Sequence, residues 1–286
     1  MTVAASRVGD LLGTEVEDTR PVGGGSICDA SRVTAADGRA FFVKTLRHGP
    51  ADLFAVEASG LGGLDDAGGC PLPRVEAVAE DVLVLEWVEP GAPSPEAAER
   101  FGRELARTHQ AGAPMFGWAR DGYIGPLPLP NAPAVDWPDF YASRRVLPYL
   151  RQAVDAGVLA ADEVGPVETV CGQLLEIAGP TEQPARVHGD LWSGNVLWSS
   201  EGPAYLVDPA CHGGHRETDL AMLALFGLPY LDRVLAAYDE AYPLADGWRA
   251  RVPLHQLHPL LVHTVLFGGG YAGQAVHAAR EALAAA

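Results

Sequence analysis

The sequence is almost without lysine. Of its 20 basic residues, 19 are arginine, and the only lysine is Lys44. Lysine carries a compact point charge on a flexible stem, whereas the arginine guanidinium is a planar fork of donors. One lysine can fall anywhere by chance, but a chain that otherwise uses arginine indicates a position where an ammonium group is needed. We therefore treat Lys44 as a candidate functional residue, to be judged by its surroundings.

Positive charge and long apolar runs are also scarce. The chain has 37 acidic and 20 basic residues and a net charge of −17, which disfavours binding to nucleic acid or to an anionic membrane. The longest apolar stretches, LAMLALFGLPYL and LLVHTVLFGGG, are too short or too interrupted to span a bilayer. No secretory signal is evident at the N-terminus. We expect a cytoplasmic globular protein, monomeric or weakly dimeric, with no nucleic-acid or membrane partner.

Cysteines are few and follow no known framework. None of the four forms a C-x-x-C pair or a zinc-site spacing, and they are Cys28, Cys70, Cys171 and Cys211. We expect free thiols in a reducing compartment. A redox role for Cys28, close to a glycine-rich segment, stays open.

The chain of 286 residues divides by pattern into two regions. Short apolar runs before residue 90 predict strands over 15–18, 26–34, 39–46, 74–78 and 81–89, and one helix near 50–64. After the Pro/Gly-rich EPGAPSP, Ser94 and Pro95 form a helix start, and the remainder is mostly helical around a long loop over 113–138. We predict an α+β fold of two lobes, a β-rich domain over 1–89 and a helical domain over 90–286, with a ligand in the cleft.

The first region carries the features of a nucleotide site. The segment PVGGGS allows close approach of backbone N–H groups to phosphates through Gly23, Gly24, Gly25 and Ser26. Lys44, on a following strand, would meet phosphate oxygens, and Glu57 on the helix would hold it, as in the kinase template. At the junction of the lobes, Glu86, Trp87 and Val88 of LEWVE would offer backbone groups to an adenine edge.

A second set of polar residues lies in VHGDLWSGNVLW. The strands VLW and YLV, over 196–198 and 205–207, predict a hairpin that places Asn195 opposite Asp208 at its open end. An amide oxygen and a carboxylate suit Mg²⁺, which prefers oxygen ligands and is commonly completed by phosphates. Asp190 in the preceding loop is then free to accept a proton from an attacking hydroxyl. This division of roles is that of phosphoryl transfer from ATP.

The segments VHGDLWSGN, LVDPA and GHRETDLAM resemble the aminoglycoside phosphotransferase/choline kinase superfamily of protein-kinase-like folds. Within it, the tryptophan of H-G-D-L-W-x-G-N resembles the fructosamine-3-kinase (ketosamine kinase) family, and the resemblance covers nearly the whole chain. It implies ATP-dependent phosphorylation of the 3-hydroxyl of ketosamines of the fructosamine or ribulosamine type. Because the phosphorylated adduct is unstable, it also implies a role in deglycation.

The resemblance assigns roles to particular residues. Asp190 matches the catalytic base, Asn195 and Asp208 match the metal ligands, and Lys44 and Glu57 match the phosphate-binding pair. Residues 86–88 match the adenine-binding hinge. Asp-Pro-Ala in place of Asp-Phe-Gly, an incomplete G-x-G-x-x-G and the lack of an activation segment point to small-molecule rather than protein phosphorylation.

The sequence says less about which residues bind the substrate that accepts the phosphoryl group. Trp192 beside the base would form a wall for a sugar ring or a cation–π contact with the substrate amine, although simple packing is the alternative. The full set of candidate substrate residues is Asp190, Trp192, His215, Glu217, Phe267 and Tyr271. For Phe267 and Tyr271, core packing remains equally open. His188 and Asp219 are expected to support the catalytic loop, and zinc is not expected at His215 because further ligands are missing.

Two other functions remain open at this point. One is a kinase of another small hydroxyl compound, such as an aminoglycoside or an amino alcohol. The other is a nucleotide-binding pseudokinase, which a complete set of the five catalytic-type residues disfavours.

Overall fold

The computed structural model describes residues 2–23 and 28–285. The N-terminal region contains a five-stranded antiparallel sheet in the order β1-β2-β3-β5-β4. The five strands are β1 Val16–Pro21, β2 Cys28–Ala35, β3 Ala40–Leu46, β4 Val75–Val78 and β5 Val82–Glu86. All five strands that the sequence predicted are present, and the predicted fold class is confirmed.

A helix that the sequence analysis did not predict covers one face of this sheet. Helix α1, Val3–Leu12, begins after Thr2, whose side chain accepts a hydrogen bond from the Ala5 N–H, and ends at Gly13 with a φ of 61°. Its buried Val8 packs with Val43 and other residues on that face. The cap residues were visible in the sequence, but the small residues between them give a weak apolar pattern.

Helix α2, Leu53–Asp65, packs on the opposite face of the sheet, where Phe54 and Leu61 contact Leu83 and Leu85. Because side chains alternate along β3, Val43 points to α1 and Lys44 points to α2. Two glycines near the end of α2, Gly60 and Gly63, allow a close approach to the second lobe. A Cβ at Gly60 would lie 3.3 Å from the Pro209 ring.

The second lobe is mainly helical, as predicted. Its first helix begins at Pro95, and the Ser94 hydroxyl accepts a hydrogen bond from the Ala97 N–H at 3.1 Å, which confirms the predicted cap. Pro253 and Pro259 lie within one long helix without ending it. The helices are α3 Pro95–Gln110, α4 Trp137–Phe140, α5 Leu147–Asp155, α6 Gly165–Gly172, α7 Leu174–Ile177, α8 Glu217–Phe226, α9 Leu231–Ala241, α10 Trp248–Phe267 and α11 Gly270–Ala284.

The long loop over 113–138 contains a small hairpin, β6 Gly122–Ile124 and β7 Leu127–Leu129, and connects the two lobes. Tyr123 donates a hydrogen bond to Asp52 at the start of α2 at 2.7 Å, and Arg120 forms an ion pair with the same carboxylate. Trp118 packs against Gly63 on α2. The loop therefore fixes α2 against the helical lobe. Among the residues that the structure describes, no helix combines the length and apolar character needed to cross a membrane.

The glycine face of α2 predicts opposite effects for two neighbouring substitutions. A Cβ at Gly63 would meet the Trp118 ring at 2.9 Å, whereas a Cβ at the exposed Gly62 would meet nothing within 4 Å. We expect Gly63→Ala to destabilise the protein by about 1–3 kcal/mol through overpacking. Gly62→Ala should stabilise it by roughly 0.5–1 kcal/mol through helix propensity. Thermal unfolding of both variants measures this, and equal shifts would contradict the close contact.

Candidate active site

The hairpin of the HGDLWSGN region exists, but its predicted register is wrong by one residue. Strands β9 Val196–Trp198 and β10 Ala204–Leu206 pair Val196 with Leu206, so Asn195 faces Val207 rather than Asp208. The cause is the turn, because the Ser199 N–H donates to the Pro203 carbonyl and Gly202 adopts a φ of 103°. The turn closed by these contacts contains an odd number of residues, and this shifts the pairing of the two strands by one residue. Asp208 nevertheless follows at the open end, in a left-handed conformation with a φ of 55°.

The open end of this hairpin brings Asp190 and Asn195 into contact. The Asn195 amide nitrogen donates to the Asp190 backbone carbonyl at 2.8 Å and to its carboxylate at 3.2 Å. The amide oxygen of Asn195 thus remains as an acceptor. Burial, and then the nearby charge of Asp208, raise the pKa of Asp190 to about 7, against the lowering effect of the Asn195 hydrogen bond.

The loop that carries Asp190 is braced from behind. The Asp219 carboxylate accepts hydrogen bonds from the backbone N–H groups of His188 at 2.7 Å and Gly189 at 3.0 Å. The His188 ring donates to the Val207 carbonyl at 2.9 Å, and burial lowers its pKa, so it is neutral at pH 7. Gly189 has a φ of 81°, and a Cβ there would lie 2.3 Å from the Ala210 carbonyl. His188 and Asp219 therefore position the loop, in the supporting role expected for them.

Lys44 lies between two carboxylates, one from each lobe. Its ammonium group is 2.7 Å from Glu57 Oε1 and 2.6 Å from Asp208 Oδ1, and the residue is 8% exposed. Burial alone would lower the pKa of Lys44, but the two carboxylates raise it above its ordinary value, so the group stays charged. The structure brings together the predicted pair of Lys44 and Glu57 and joins Asp208 to it.

The predicted hinge residues differ in whether their backbone N–H groups are available to bind an adenine ring. The Glu86 N–H donates to the Arg74 carbonyl at 2.9 Å, and the Trp87 N–H donates to the Ala40 carbonyl at 3.2 Å. The buried Val88 has an N–H that donates to no residue in the described part of the chain. Val88 is therefore the candidate donor to an adenine edge.

The predicted phosphate loop is mostly outside the described residues. Gly24, Gly25 and Ser26 fall there, while Gly23 is exposed and a Cβ on it would contact nothing within 4 Å.

Three of the predicted substrate residues lie at an accessible surface. Trp192 is 41% exposed, and its indole lies across Gly194, where a Cβ would be 2.2 Å from the ring. Phe267 is 64% exposed, which does not fit core packing, and its ring is 6.3 Å from that of the half-buried Tyr271. Phe226 and His263, which the sequence analysis missed, link these rings to Trp192. The i, i+4 spacing of His263 and Phe267 on α10 was the available signal.

Two of the remaining predicted substrate residues, His215 and Glu217, are corrected by the structure. Both are buried, with 4% and 2% exposure, and so do not contact a substrate in this conformation. Arg251 donates to both Glu217 oxygens at 2.6 and 2.9 Å, and His255 lies 3.3 Å from the same carboxylate. Although burial opposes it, these contacts lower the pKa of Glu217 to about 2. The residues hold the start of α8 in place, and their closeness in sequence to Asp208 misled the prediction.

The nearest ligand-type atoms of His215, Glu217 and His255 lie within 4.8 Å of one another. Arg251 already neutralises the only carboxylate in this cluster. We interpret it as an internal ion-pair network.

Comparisons with known proteins identify the fold and the family. The choline kinase LicA from Streptococcus pneumoniae has the same fold, with a TM-score of 0.65 at 14% identity, over 98% of this chain and 97% of that one. The fold therefore places the chain among the kinase-like proteins. The family model "Fructosamine kinase" matches residues 3–285, and the chain belongs to this family. It is accordingly an ATP-dependent small-molecule kinase.

Two relatives illustrate the membership. A protein from Thermobifida fusca, described as a fructosamine-3-kinase, is 53% identical, with a TM-score of 0.95 over 99% of both chains. The probable ketoamine kinase of Thermus thermophilus is 40% identical over 88% of this chain and 89% of its own length.

The raised pKa of Asp190 predicts a pH-dependent effect of Asp190→Asn on stability, measured without metal or nucleotide. An unfolded aspartate loses its proton near its ordinary pKa of 3.8, whereas the folded one keeps it to about pH 7. Folding of the wild type is therefore disfavoured increasingly as the pH rises between these values, and the neutral asparagine escapes this cost. We expect Asp190→Asn to be more stable than the wild type at pH 8 by about 1–2 kcal/mol.

The measurement is chemical denaturation of both proteins at pH 5 and pH 8. The gain from Asp190→Asn should shrink at pH 5. A gain that is constant or larger at pH 5 would show that Asp190 is not a desolvated carboxylate.

Proposed function

We propose that this protein transfers the γ-phosphoryl group of ATP to the 3-hydroxyl of a ketosamine. The observation that carries the proposal is Asp190, a carboxylate with a pKa of about 7 beside Asn195, Asp208 and the exposed Trp192. Membership of the fructosamine kinase family supports the substrate class, because its relatives are named for ketoamines and fructosamine.

Asp190 is the proposed general base. It accepts the proton of the attacking sugar hydroxyl, and a pKa near the working pH is the most effective for that task. The Asn195 amide fixes the carboxylate through the bond at 3.2 Å, and Asp219 fixes the loop backbone. Orientation of the hydroxyl and the base supplies a large part of the rate.

Lys44 is the proposed partner of the nucleotide phosphates. Glu57 holds its ammonium group at 2.7 Å and keeps it charged. The N–H of Val88 is the proposed donor to the adenine. We retain Gly23 to Ser26 as the proposed cover of the phosphates, and the lobes divided after Glu89 as the proposed domains.

The residues present fit a magnesium ion. The free amide oxygen of Asn195 and the carboxylate of Asp208, whose side chain is 48% exposed, form a set of hard oxygen donors. We propose that these two residues hold Mg²⁺, which would screen the phosphate charges when bound.

The proposed product has a consequence for glycated amines. Phosphorylation at the 3-hydroxyl makes the adduct unstable, so the proposed role is deglycation. All four cysteines are free thiols, and we propose a reducing cytoplasmic setting on that basis.

A substrate panel tests the proposed function. Fructosyl-lysine, ribulosyl-lysine, an aminoglycoside and choline are compared by ATP consumption, and the product is located by NMR. We expect turnover of the ketosamines with phosphate at O3, and a loss of more than about 100-fold in kcat for Asp190→Asn with nucleotide affinity retained. Preferred turnover of the aminoglycoside or choline would replace the proposal by the alternative kinase, and ATP binding without any turnover would favour a pseudokinase.

The proposed metal site predicts the behaviour of Asp208→Asn. Removing this carboxylate should raise the Mg²⁺ concentration needed for half-maximal activity by roughly tenfold or more, because a neutral amide binds a hard cation more weakly. The measurement is a Mg²⁺ titration at saturating ATP. Asp65→Asn, at the exposed end of α2, is the matched control and should behave as the wild type. An unchanged titration for Asp208→Asn would remove Asp208 from the metal site.

A further inference from the structure

Five aromatic rings form a continuous surface that begins beside the proposed base. We call this surface the aromatic strip, and its members are Trp192, Phe226, His263, Phe267 and Tyr271. The ring centroids of Trp192 and Phe226 are 6.4 Å apart, those of Phe226 and His263 are 4.8 Å apart, and His263 lies 5.4 Å from Phe267 and 5.1 Å from Tyr271. The strip thus runs from the catalytic loop through α8 to the junction of α10 and α11.

The strip is longer than a sugar. A single monosaccharide ring covers one aromatic side chain, and Trp192, two residues after Asp190, is the member nearest to it in the chain. The two further steps, from Phe226 to His263 and from His263 to Phe267, therefore lie beyond the sugar that is being phosphorylated. In a ketosamine, the part beyond the sugar is the amine and the group that it carries.

The faces of these rings are not used by the protein's own cations. The cation–π contacts in the described part of the chain involve six arginines over other rings, and none lies over a member of the strip. The net charge of −17 also favours a cationic ligand. A protonated secondary amine is such a cation, and aromatic faces attract it.

His263 adds a hydrogen-bond acceptor in the middle of the strip. Its Nδ1 lies 2.8 Å from the Pro259 carbonyl, which can only accept, so Nδ1 carries the proton of the neutral ring. The other nitrogen, Nε2, is then an acceptor, and no described residue donates to it. Burial lowers the pKa of His263, so the ring stays neutral at pH 7.

The backbone after α10 holds this arrangement. Gly268 and Gly269 have φ of 61° and 59° with ψ of −139° and −136°, a region open essentially to glycine alone. This turn ends α10 directly after Phe267 and starts α11, and it leaves the Phe267 ring 64% exposed. With the neighbouring rings of His263 and Tyr271, this exposed phenylalanine forms part of a contiguous apolar patch, which is the feature that indicates a contact surface.

We propose that the aromatic strip is the subsite for the amine-bearing half of the ketosamine, with His263 Nε2 accepting a hydrogen bond from the protonated secondary amine. This assignment rests on the proposed function and goes further, because it states how the enzyme distinguishes an amine adduct from the free sugar. It also assigns a preference for amines that carry an apolar or aromatic group long enough to reach Phe267.

The first experiment removes only the acceptor. His263→Phe keeps an aromatic ring but has no nitrogen, and His263→Gln restores an amide oxygen. KM and kcat for fructosyl-lysine, and the inhibition constant of fructose, are measured for both variants. We expect His263→Phe to raise KM for fructosyl-lysine about tenfold with kcat within about twofold, the size of one lost charge-assisted hydrogen bond. The inhibition constant of fructose, which has no amine, should be unchanged, and His263→Gln should recover part of the lost affinity.

If His263→Phe weakened the binding of fructosyl-lysine and of fructose equally, His263 would support the site without recognising the amine, and the proposal would be wrong. No change in either constant would also overturn it.

The second experiment tests the far end of the strip with a residue whose loss does not threaten folding. Phe267→Ala is compared with Leu175→Ala, which removes another large exposed apolar side chain, 80% exposed on α7. The substrates are the fructose adducts of methylamine and of phenethylamine. We expect Phe267→Ala to raise KM for the phenethylamine adduct by roughly three- to tenfold, to leave the methylamine adduct unchanged, and Leu175→Ala to affect neither.

The two proposals fail in different ways. If no ketosamine is phosphorylated by the wild type, the proposed function fails. If ketosamines are phosphorylated but the two adducts respond equally to Phe267→Ala, only the aromatic strip loses its role.

Discussion

The contact of one ammonium group with two carboxylates, Lys44 with Glu57 and Asp208, is the interaction on which the rest of the structure depends. It joins a strand and a helix of the first lobe to the hairpin of the second. A buried ammonium without these partners would be strongly unfavourable, so the three elements must meet closely. The glycines of α2, the loop that binds Asp52 and the left-handed Asp208 all serve this approach. A compact point charge can satisfy two acids in so small a space, which accounts for lysine where the chain elsewhere uses arginine.

The charged groups around Lys44 also influence the pKa of Asp190. Asp208 neutralises Lys44 in part, but it also lies near Asp190 and raises its pKa. Burial alone would raise the pKa of Asp219 as well, yet the hydrogen bond with His109, and after it the N–H of Gly189, lower it. The site thus contains one aspartate with a lowered pKa, Asp219, which supports the loop, and another, Asp190, whose pKa is near neutral pH. This difference comes from hydrogen bonding and burial, since both side chains are aspartate.

Much of the fold and part of the site could be predicted from the sequence. Strong local signals were sufficient for the five strands and for the cap at Ser94, whereas the pairing of Lys44 with Glu57 was predicted from the resemblance to kinases. The register of the β9–β10 hairpin could not be fixed, because it depends on the conformation of Gly202 and not on the apolar pattern. His215 and Glu217 were misplaced for a related reason, since the partner that buries Glu217 is Arg251, 34 residues further on. Phe226 and His263 were missed because their contacts arise only when α8, α10 and α11 pack together.

The two sides of the site therefore differ in kind. The proposed nucleotide side consists of charges at short distances, and it suits a ligand with fixed charges such as phosphates. The proposed acceptor side consists of aromatic faces and one neutral imidazole, which would attract a cation without fixing the group behind it. The proposed ketosamine would therefore bind with its hydroxyl toward Asp190 and its amine against the aromatic strip, away from the proposed nucleotide side.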